Sequence, residues 1–204
     1  MLKENYYKPP KMSLGDLAKY IIEDNRARLR LLEKKPNLYN KILSFLSPNN
    51  IAVVLYRLSH YFHCHNINVI AKLFYFLNII IFGCDISIYS EIGPGLFIAH
   101  ITGTAIHAKI GKNACIYGRV ALGGRGTRIS NKGWLGGPVI GDNVTFGFGA
   151  SVFGHVKIGN DVFIGAMSMV TRSLPDGAVA MGIPAKIKYI KRKGSVSNNP
   201  ESER

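Results

Sequence analysis

The chain has 204 residues, of which 47% are hydrophobic and 19% are charged. That composition is ordinary for a globular protein, and the length suits one compact body with a smaller appendage. The formal net charge of +14 is spread along the chain and not gathered in one motif, which argues against a dedicated nucleic-acid-binding protein. A diffuse positive field favours phosphate-bearing cofactors, acidic glycans or a lipid surface as partners.

Residues 1–83 are predicted to form an N-terminal helical region. Ser13 and Asp16 stand three residues apart, as in a capping box, and begin a helix that Pro36 ends. A second helix is predicted over residues 50–65, where apolar side chains recur at helical spacing. The start of the chain lacks the apolar core of a signal peptide, so we expect a cytoplasmic protein.

An apolar run over residues 67–82 predicts a third helix. The run is shorter than a comfortable membrane span and contains Lys72 and Asn78. These features favour a buried helix, and they leave peripheral attachment at the inner face of the membrane as an alternative.

Large side chains recur every six residues after Gly83. Thirteen positions share this register, and all but one are apolar: Ile86, Ile92, Ile98, Thr104, Ile110, Ile116, Leu122, Ile140, Phe146, Val152, Ile158, Ile164 and Val170. Such a period predicts a solenoid of short strands in which three sides of six residues make one coil. We therefore predict a mostly β protein, with a parallel β-helix of hexapeptide repeats over residues 84–190.

Residues 125–137 keep the length of a repeat but lack its pattern, and they predict a loop that protrudes from the solenoid. This loop holds Trp134, the only tryptophan, outside any apolar period, which favours a partner surface or a substrate site. Residues 191–204 are polar and are predicted to be a disordered tail.

Four segments of the chain resemble the hexapeptide-repeat acyltransferases. They are LYRLSHYF, CDISIYSEIGPGLFIAHITG, ALGG and SLPDGAVAMGIPAKI, and over residues 50–187 they follow the order seen in serine O-acetyltransferases and their polysaccharide-modifying relatives. The resemblance implies a left-handed β-helix, acetyl-CoA as co-substrate and a homotrimer.

The same resemblance assigns the catalytic pair to Asp85 and His100. The two residues lie fifteen apart, slightly less than one coil, so the carboxylate is expected beneath the imidazole. A neutral imidazole is a competent base near pH 7, and the carboxylate would fix its tautomer. A surface His–Asp pair without catalytic function is the alternative.

The other histidines carry weaker signals. His60, His63 and His65 resemble a metal-binding spacing, but no carboxylate or cysteine cluster completes the site, so we predict no metal. His107 and His155 fall at outward positions of the repeat and are expected to be solvated surface groups.

Positions that match coenzyme contacts of the family are Gly124, Phe148 and Ala166. The backbone at Gly123 and Gly124 is the candidate donor to the thioester oxygen, since glycine permits close approach. Arg172 and Lys186 are candidates for the coenzyme phosphates, and both are equally well explained as solvated charges.

Two departures from the serine enzymes bear on the acceptor. Ala99 stands where those enzymes have an aspartate that holds the amino acid's ammonium group, and the loop lacks the Arg-His pair that binds its carboxylate. Because both charged partners are missing, we predict O-acetylation of a sugar hydroxyl in a surface polysaccharide (capsule, O-antigen or exopolysaccharide), with Trp134 stacking on the sugar. Serine O-acetylation for cysteine biosynthesis is the first alternative, and a non-catalytic trimeric scaffold is the second.

Overall fold

The computed structural model describes residues 11–124 and 137–190. Within them, four helices come first: α1 (Leu14–Leu31), α2 (Leu38–Phe45), α3 (Pro48–Cys64) and α4 (Asn68–Phe82). Short strands follow: β1 (Cys84–Ile86), β2 (Glu91–Ile92), β3 (Phe97–Ile98), β4 (Thr104–Ile106), β5 (Lys109–Ile110), β6 (Cys115–Ile116), β7 (Ala121–Gly123), β8 (Val139–Ile140), β9 (Thr145–Phe146), β10 (Ser151–Phe153), β11 (Lys157–Ile158), β12 (Phe163–Ile164), β13 (Met169–Val170), β14 (Ala178–Met181) and β15 (Lys186–Ile190).

The strands stack as three sheets that form the sides of a solenoid. Side A has the order β1-β4-β7-β10-β13, side B has the order β11-β8-β5-β2, and side C has the order β15-β14-β12-β9-β6-β3. Neighbouring strands are parallel, except that β15 returns antiparallel to β14. The inward side chains of all three sides form one apolar core. The predicted fold class, a β-helix of hexapeptide repeats preceded by helices, is confirmed.

One repeat position differs from the prediction. Ile106, and not Thr104, stacks between Ile86 and Leu122 on side A. The coil from Ile86 to Ile106 therefore has 20 residues, and the next, from Ile106 to Leu122, has 16. The two deviations cancel over two coils, which is why the sixfold phase survives in the sequence. The additional residues of the longer coil lie in the turn before β4.

The helices follow the prediction except at two places. The Ser13–Asp16 capping box is present at the start of α1, but α2 was not predicted. The prediction that α4 is buried is wrong for its outer face, where Val69, Leu73 and Phe76 are exposed. In the part of the chain that the structure describes, none of the helices combines the length and apolarity needed to cross a membrane.

A buried ion pair joins the helices to the first coil. The Arg57 guanidinium of α3 donates to the Asp24 carboxylate of α1, with Nε to Oδ2 at 2.9 Å, and both side chains are almost fully buried. Asp24 Oδ1 also accepts from the backbone N–H groups of Gly95 and Leu96, each at 2.8 Å. Arg57 donates further to the carbonyl of Gly93 at 2.7 Å. The helical region is thereby fixed to the turn between β2 and β3.

Candidate active site

His100 lies in the turn between side C and side A, and its side chain is exposed. The turn is anchored from both ends: Ala99 N–H donates to the Ile116 carbonyl at 2.8 Å, and Gly103 N–H donates to the Gly83 carbonyl at 2.9 Å. The Asn49 amide of α3 donates to the carbonyl of Ala99. The imidazole is therefore presented on a turn whose backbone is fixed by the neighbouring coil and by a helix.

The neighbour of His100 in the next coil is Gly118. This glycine has φ +136°, and a β-carbon there would lie 2.7 Å from Cβ of His100, so the close stacking of the two turns requires glycine. One coil further, the exposed Phe148 ring meets the imidazole edge to face, with ring centroids 6.3 Å apart. The Arg119 guanidinium lies over the same phenylalanine ring, 5.8 Å from its centroid. Imidazole, aromatic ring and cation thus share one corner, which we call the His100 corner (His100, Gly118, Arg119 and Phe148).

Asp85 lies on β1 of side A with its side chain exposed. Its Oδ1 accepts a hydrogen bond of 2.9 Å from the Tyr75 hydroxyl of α4. Burial and this carboxylate together raise the pKa of Tyr75 to about 12, so the phenol remains a donor at neutral pH. The His100 turn reaches Gly83, two residues before Asp85. Among the described residues no hydrogen bond joins Asp85 to His100, and their catalytic pairing stays a prediction.

His107 follows β4 on the same side of the solenoid as Asp85 and is half-buried, whereas the sequence predicted a solvated group. Burial lowers the pKa of His107, and the negative charge of Asp85 partly opposes that effect. Side A therefore carries one imidazole, that of His107, within the field of the Asp85 carboxylate.

His60 and His63 of α3, and His65 directly after it, have structural partners. The ring Nδ1 of His60 lies 3.0 Å from the Ile88 carbonyl, His63 Nδ1 lies 2.9 Å from the Asn68 side-chain oxygen, and His65 Nε2 lies 2.8 Å from the Met12 carbonyl. No group of three metal-ligating side chains occurs in residues 11–124 and 137–190. These contacts explain the histidines through helix packing.

The predicted coenzyme residues fall into separate places. Phe148 belongs to the His100 corner, and the exposed Ala166 follows β12 at the same edge of the solenoid. Gly123 ends β7 and Gly124 follows it, at the opposite edge of side A. Arg172 is exposed after β13 at that second edge. The two groups are thus one side of the solenoid apart.

The remaining predicted residues do not join either group. Lys186 begins β15 at the end of side C and is exposed. Ala99 is half-buried, and its backbone carbonyl is occupied by Asn49. Trp134 lies outside the described residues.

Sequence reasoning missed Tyr75 and Arg119. Tyr75 is hidden within the apolar run of α4, where nothing in the spacing relates it to a carboxylate ten residues later. Arg119 is one of many cations in a basic chain, and only the stacking of coils places it beside Phe148. The placement of both residues depends on contacts between elements, and no short sequence motif indicates it.

Comparison with known proteins identifies the family. A model of the bacterial transferase hexapeptide (six repeats) matches residues 137–172. The chain is 37% identical over 160 residues to a serine acetyltransferase of Helicobacter pylori strain J99, covering 77% of this chain and 91% of that protein. The chain belongs to the serine acetyltransferase family. The left-handed winding expected of hexapeptide β-helices comes with that membership, and the prediction of an acyltransferase is confirmed at the level of the family.

Two further matches bear on the extent of the likeness. A serine acetyltransferase of Synechococcus elongatus is 33% identical over 162 residues, which are 78% of this chain but only 65% of that protein. A solved serine acetyltransferase in complex with CoA is 25% identical, covers 85% of this chain and 70% of that one, and has a TM-score of 0.73. The chain thus spans just under two thirds of the Synechococcus elongatus protein and nine tenths of the Helicobacter pylori protein.

The prediction of a surface polysaccharide as acceptor is wrong. The relatives and the solved structure named above are serine acetyltransferases, which supports the first alternative and not the main prediction. The prediction relied on two missing charges, at Ala99 and in the loop, and the sequence pattern did not show that the Arg119 guanidinium of the next coil lies over the Phe148 ring. The non-catalytic scaffold fails on the same family assignment.

Proposed function

We propose that the protein transfers the acetyl group of acetyl-CoA to the hydroxyl of L-serine, with His100 as general base. The observation that carries this proposal is the His100 corner, where an exposed imidazole, an aromatic ring and a guanidinium meet within a chain of the serine acetyltransferase family. The imidazole is the base, and the other two groups offer a surface for the substrates.

In the proposed reaction His100 takes the proton of the serine hydroxyl as the oxygen attacks the thioester carbonyl. The resulting tetrahedral oxyanion collapses, the C–S bond breaks, and the CoA thiolate leaves with the proton returned by the imidazolium. General-base catalysis of this kind contributes about 10²–10⁴-fold to the rate. Asp85, held by Tyr75, would stabilise the imidazolium, since the His100 turn is hydrogen-bonded to Gly83 at the start of the segment that carries Asp85.

Arg119 is the proposed partner of the serine carboxylate. A guanidinium binds a carboxylate with two parallel hydrogen bonds, which position as well as attract. Because Arg119 stands over the Phe148 ring and that ring meets the imidazole, a carboxylate bound there brings its amino acid to the base. This arrangement replaces the charged loop pair that the sequence lacks.

The coenzyme is proposed to lie along the edge that carries Phe148 and Ala166. Both are exposed, and the small Ala166 permits close approach of an extended ligand. Gly123, Gly124 and Arg172 lie one side of the solenoid away, so a site that uses both groups takes them from two copies. A homotrimer, as the family resemblance implies, supplies that arrangement. Both proposed substrates, acetyl-CoA and serine, are cytoplasmic metabolites.

The experiment is thiol release from acetyl-CoA with L-serine as the sole acceptor. We expect turnover by the wild-type chain and a loss of at least 10²-fold in kcat for His100→Ala. His155→Ala is the matched control, since it removes another exposed histidine of the solenoid. Wild-type protein that releases no thiol with serine would refute the acceptor. Equal activity of the two variants would remove His100 from the mechanism.

A further inference from the structure

Helix α2 is docked with its polar side inward. The only side chain of this helix that is buried is Ser44. The Ser44 hydroxyl donates to the Asn25 side-chain oxygen at 2.6 Å, and the Asn25 amide donates to the Lys41 carbonyl at 3.2 Å. Polar contacts therefore hold the helix to α1, which is the reverse of the usual amphipathic packing.

The outward side of α2 and of the segments around it is apolar. Eight large side chains between residues 31 and 46 are exposed, among them Leu38 at 74%, Tyr39 at 72% and Ile42 at 53% of their surface; the others are Leu31, Leu32, Leu43, Phe45 and Leu46. Single exposed apolar residues are normal, but a contiguous set marks an interaction site. Water is a poor solvent for this surface, so something of matching chemistry is expected to cover it.

Cations surround the same surface. Five exposed cations lie in residues 26–46, namely Arg26, Arg30, Lys34, Lys35 and Lys41. The sixth cation, Arg28, is half-buried beside Phe97 of the solenoid. The acidic residues near them are Glu33 and, just before the segment, Glu23. Four of the five line a groove of about 310 Å³ between α1 and α2, together with the acidic Glu23: Arg26, Arg30, Lys34 and Lys41. Of these, Arg26 is ion-paired with Glu23 at 2.6 Å. The groove thus offers an excess of positive charge beside the exposed apolar side chains.

We propose that this surface, residues 26–46, docks on an anionic lipid bilayer. A helix that exposes apolar side chains next to a cluster of Lys and Arg lies in the plane of a membrane interface, where the apolar groups enter the acyl boundary and the cations meet the headgroup phosphates. Long Lys and Arg side chains reach the headgroups while their stems cover apolar surface. The groove between α1 and α2 is of the size and charge to hold one phosphate headgroup.

Charge argues against a second copy of the chain as the occupant. A twofold contact would bring the same surface of two copies together, and with it five exposed cations against five, with two acids, Glu23 and Glu33, on each side. An anionic bilayer meets the same charges with attraction. The apolar content argues against nucleic acid, which offers no acyl interior for Leu38, Tyr39 and Ile42.

Vesicle flotation of the full chain tests the proposal, and the readout does not depend on acetyl transfer. We expect binding to vesicles of phosphatidylglycerol and phosphatidylcholine mixed, and little binding to phosphatidylcholine alone. The triple variant Arg30→Gln, Lys34→Gln, Lys41→Gln should weaken partitioning about a hundredfold, from about fivefold per cation near an anionic surface. The matched control is Lys112→Gln, Lys157→Gln, Lys188→Gln, which removes three exposed cations of the solenoid and should leave binding within a few-fold of wild type.

The apolar contribution is tested by Leu38→Ser with Ile42→Ser. Neither side chain contributes to the core, so we expect unchanged thermal unfolding and vesicle binding lost at least tenfold. The comparison is Val69→Ser with Ile80→Ser on α4, whose exposed apolar face has only Lys72 beside it. Loss of binding in the α4 pair with retention in the α2 pair would overturn the proposal.

Two other results would also overturn it. In sedimentation without lipid, a fall in molecular mass caused by the α2 substitutions would mean that another copy covers the surface. Equal binding to phosphatidylcholine and to anionic vesicles would show that the cations have no part in it.

Discussion

The buried Asp24–Arg57 pair allows a quantitative prediction about how the helices are held to the solenoid. Asp24→Ala leaves the Arg57 guanidinium buried without its partner, and it also removes the acceptor of the Gly95 and Leu96 N–H groups. Breaking a buried pair by removing one partner costs about 3–5 kcal/mol. For a chain of this size that corresponds to a fall of roughly 10 °C in Tm.

Thermal unfolding followed by circular dichroism measures the effect. Glu23→Ala is the control, because it breaks an ion pair of the same helix that is largely exposed and such pairs contribute about 0–1 kcal/mol. The double variant Asp24→Leu, Arg57→Met should recover part of the loss, since no charge is left buried. Recovery is incomplete because Gly95 and Leu96 still lack an acceptor. A Tm fall for Asp24→Ala no larger than that for Glu23→Ala would refute the reasoning.

Three further predictions concern the site and the pH response. Arg119→Gln should raise the KM for L-serine by 10-fold or more and leave the KM for acetyl-CoA unchanged. The KM of Arg119→Lys for L-serine should lie between those of the wild type and Arg119→Gln, since lysine retains the charge without the paired N–H donors of the guanidinium. Steady-state kinetics with each substrate varied in turn measure both KM values, and a joint rise of the two would contradict this. Tyr75→Phe should lower kcat by about 3–10-fold at constant Tm, because one hydrogen bond to Asp85 is lost. A fall in Tm with unchanged kcat would mean that Tyr75 contributes only to packing. Burial lowers the pKa of His60 from 6.5 to about 4, so below pH 6.5 the unfolded chain binds a proton that the native chain does not. The free energy of unfolding should therefore fall by up to about 3 kcal/mol as the pH drops from 6.5 to 4. In urea unfolding, the free energy should depend less steeply on pH for His60→Asn, and an unchanged dependence would exclude His60 as the cause.

The solenoid was predictable because its pattern is repeated. Each coil needs an inward apolar residue on every side, so the six-residue spacing recurs many times along the sequence. The spacing therefore remains recognisable despite local changes such as the long turn before β4. The helical region has no such redundancy. Helix α2 was not predicted because its apolar residues face outward, so their spacing does not follow the buried face that a prediction from the sequence looks for.

Candidate site residues could be named from the sequence only where a motif is local. The turn that carries His100 and the strand that carries Asp85 both lie in one continuous segment that resembles the family. The acceptor prediction failed because it weighed missing residues in two segments, and the sequence pattern could not show that coil stacking places the Arg119 guanidinium over the Phe148 ring. Side chains that meet across coils are set by register, and a shift of two residues, as between Thr104 and Ile106, changes which of them meet.

Identification of the reaction product decides whether the chain acetylates serine. The chain is incubated with acetyl-CoA carrying ¹³C in the acetyl carbonyl and with L-serine, and the products are followed by NMR. We predict an ester carbonyl of O-acetyl-L-serine that grows with wild-type protein and is absent with His100→Ala. Acetyl-CoA that stays intact with the wild-type protein, or an ester that forms equally with both proteins, would contradict the account.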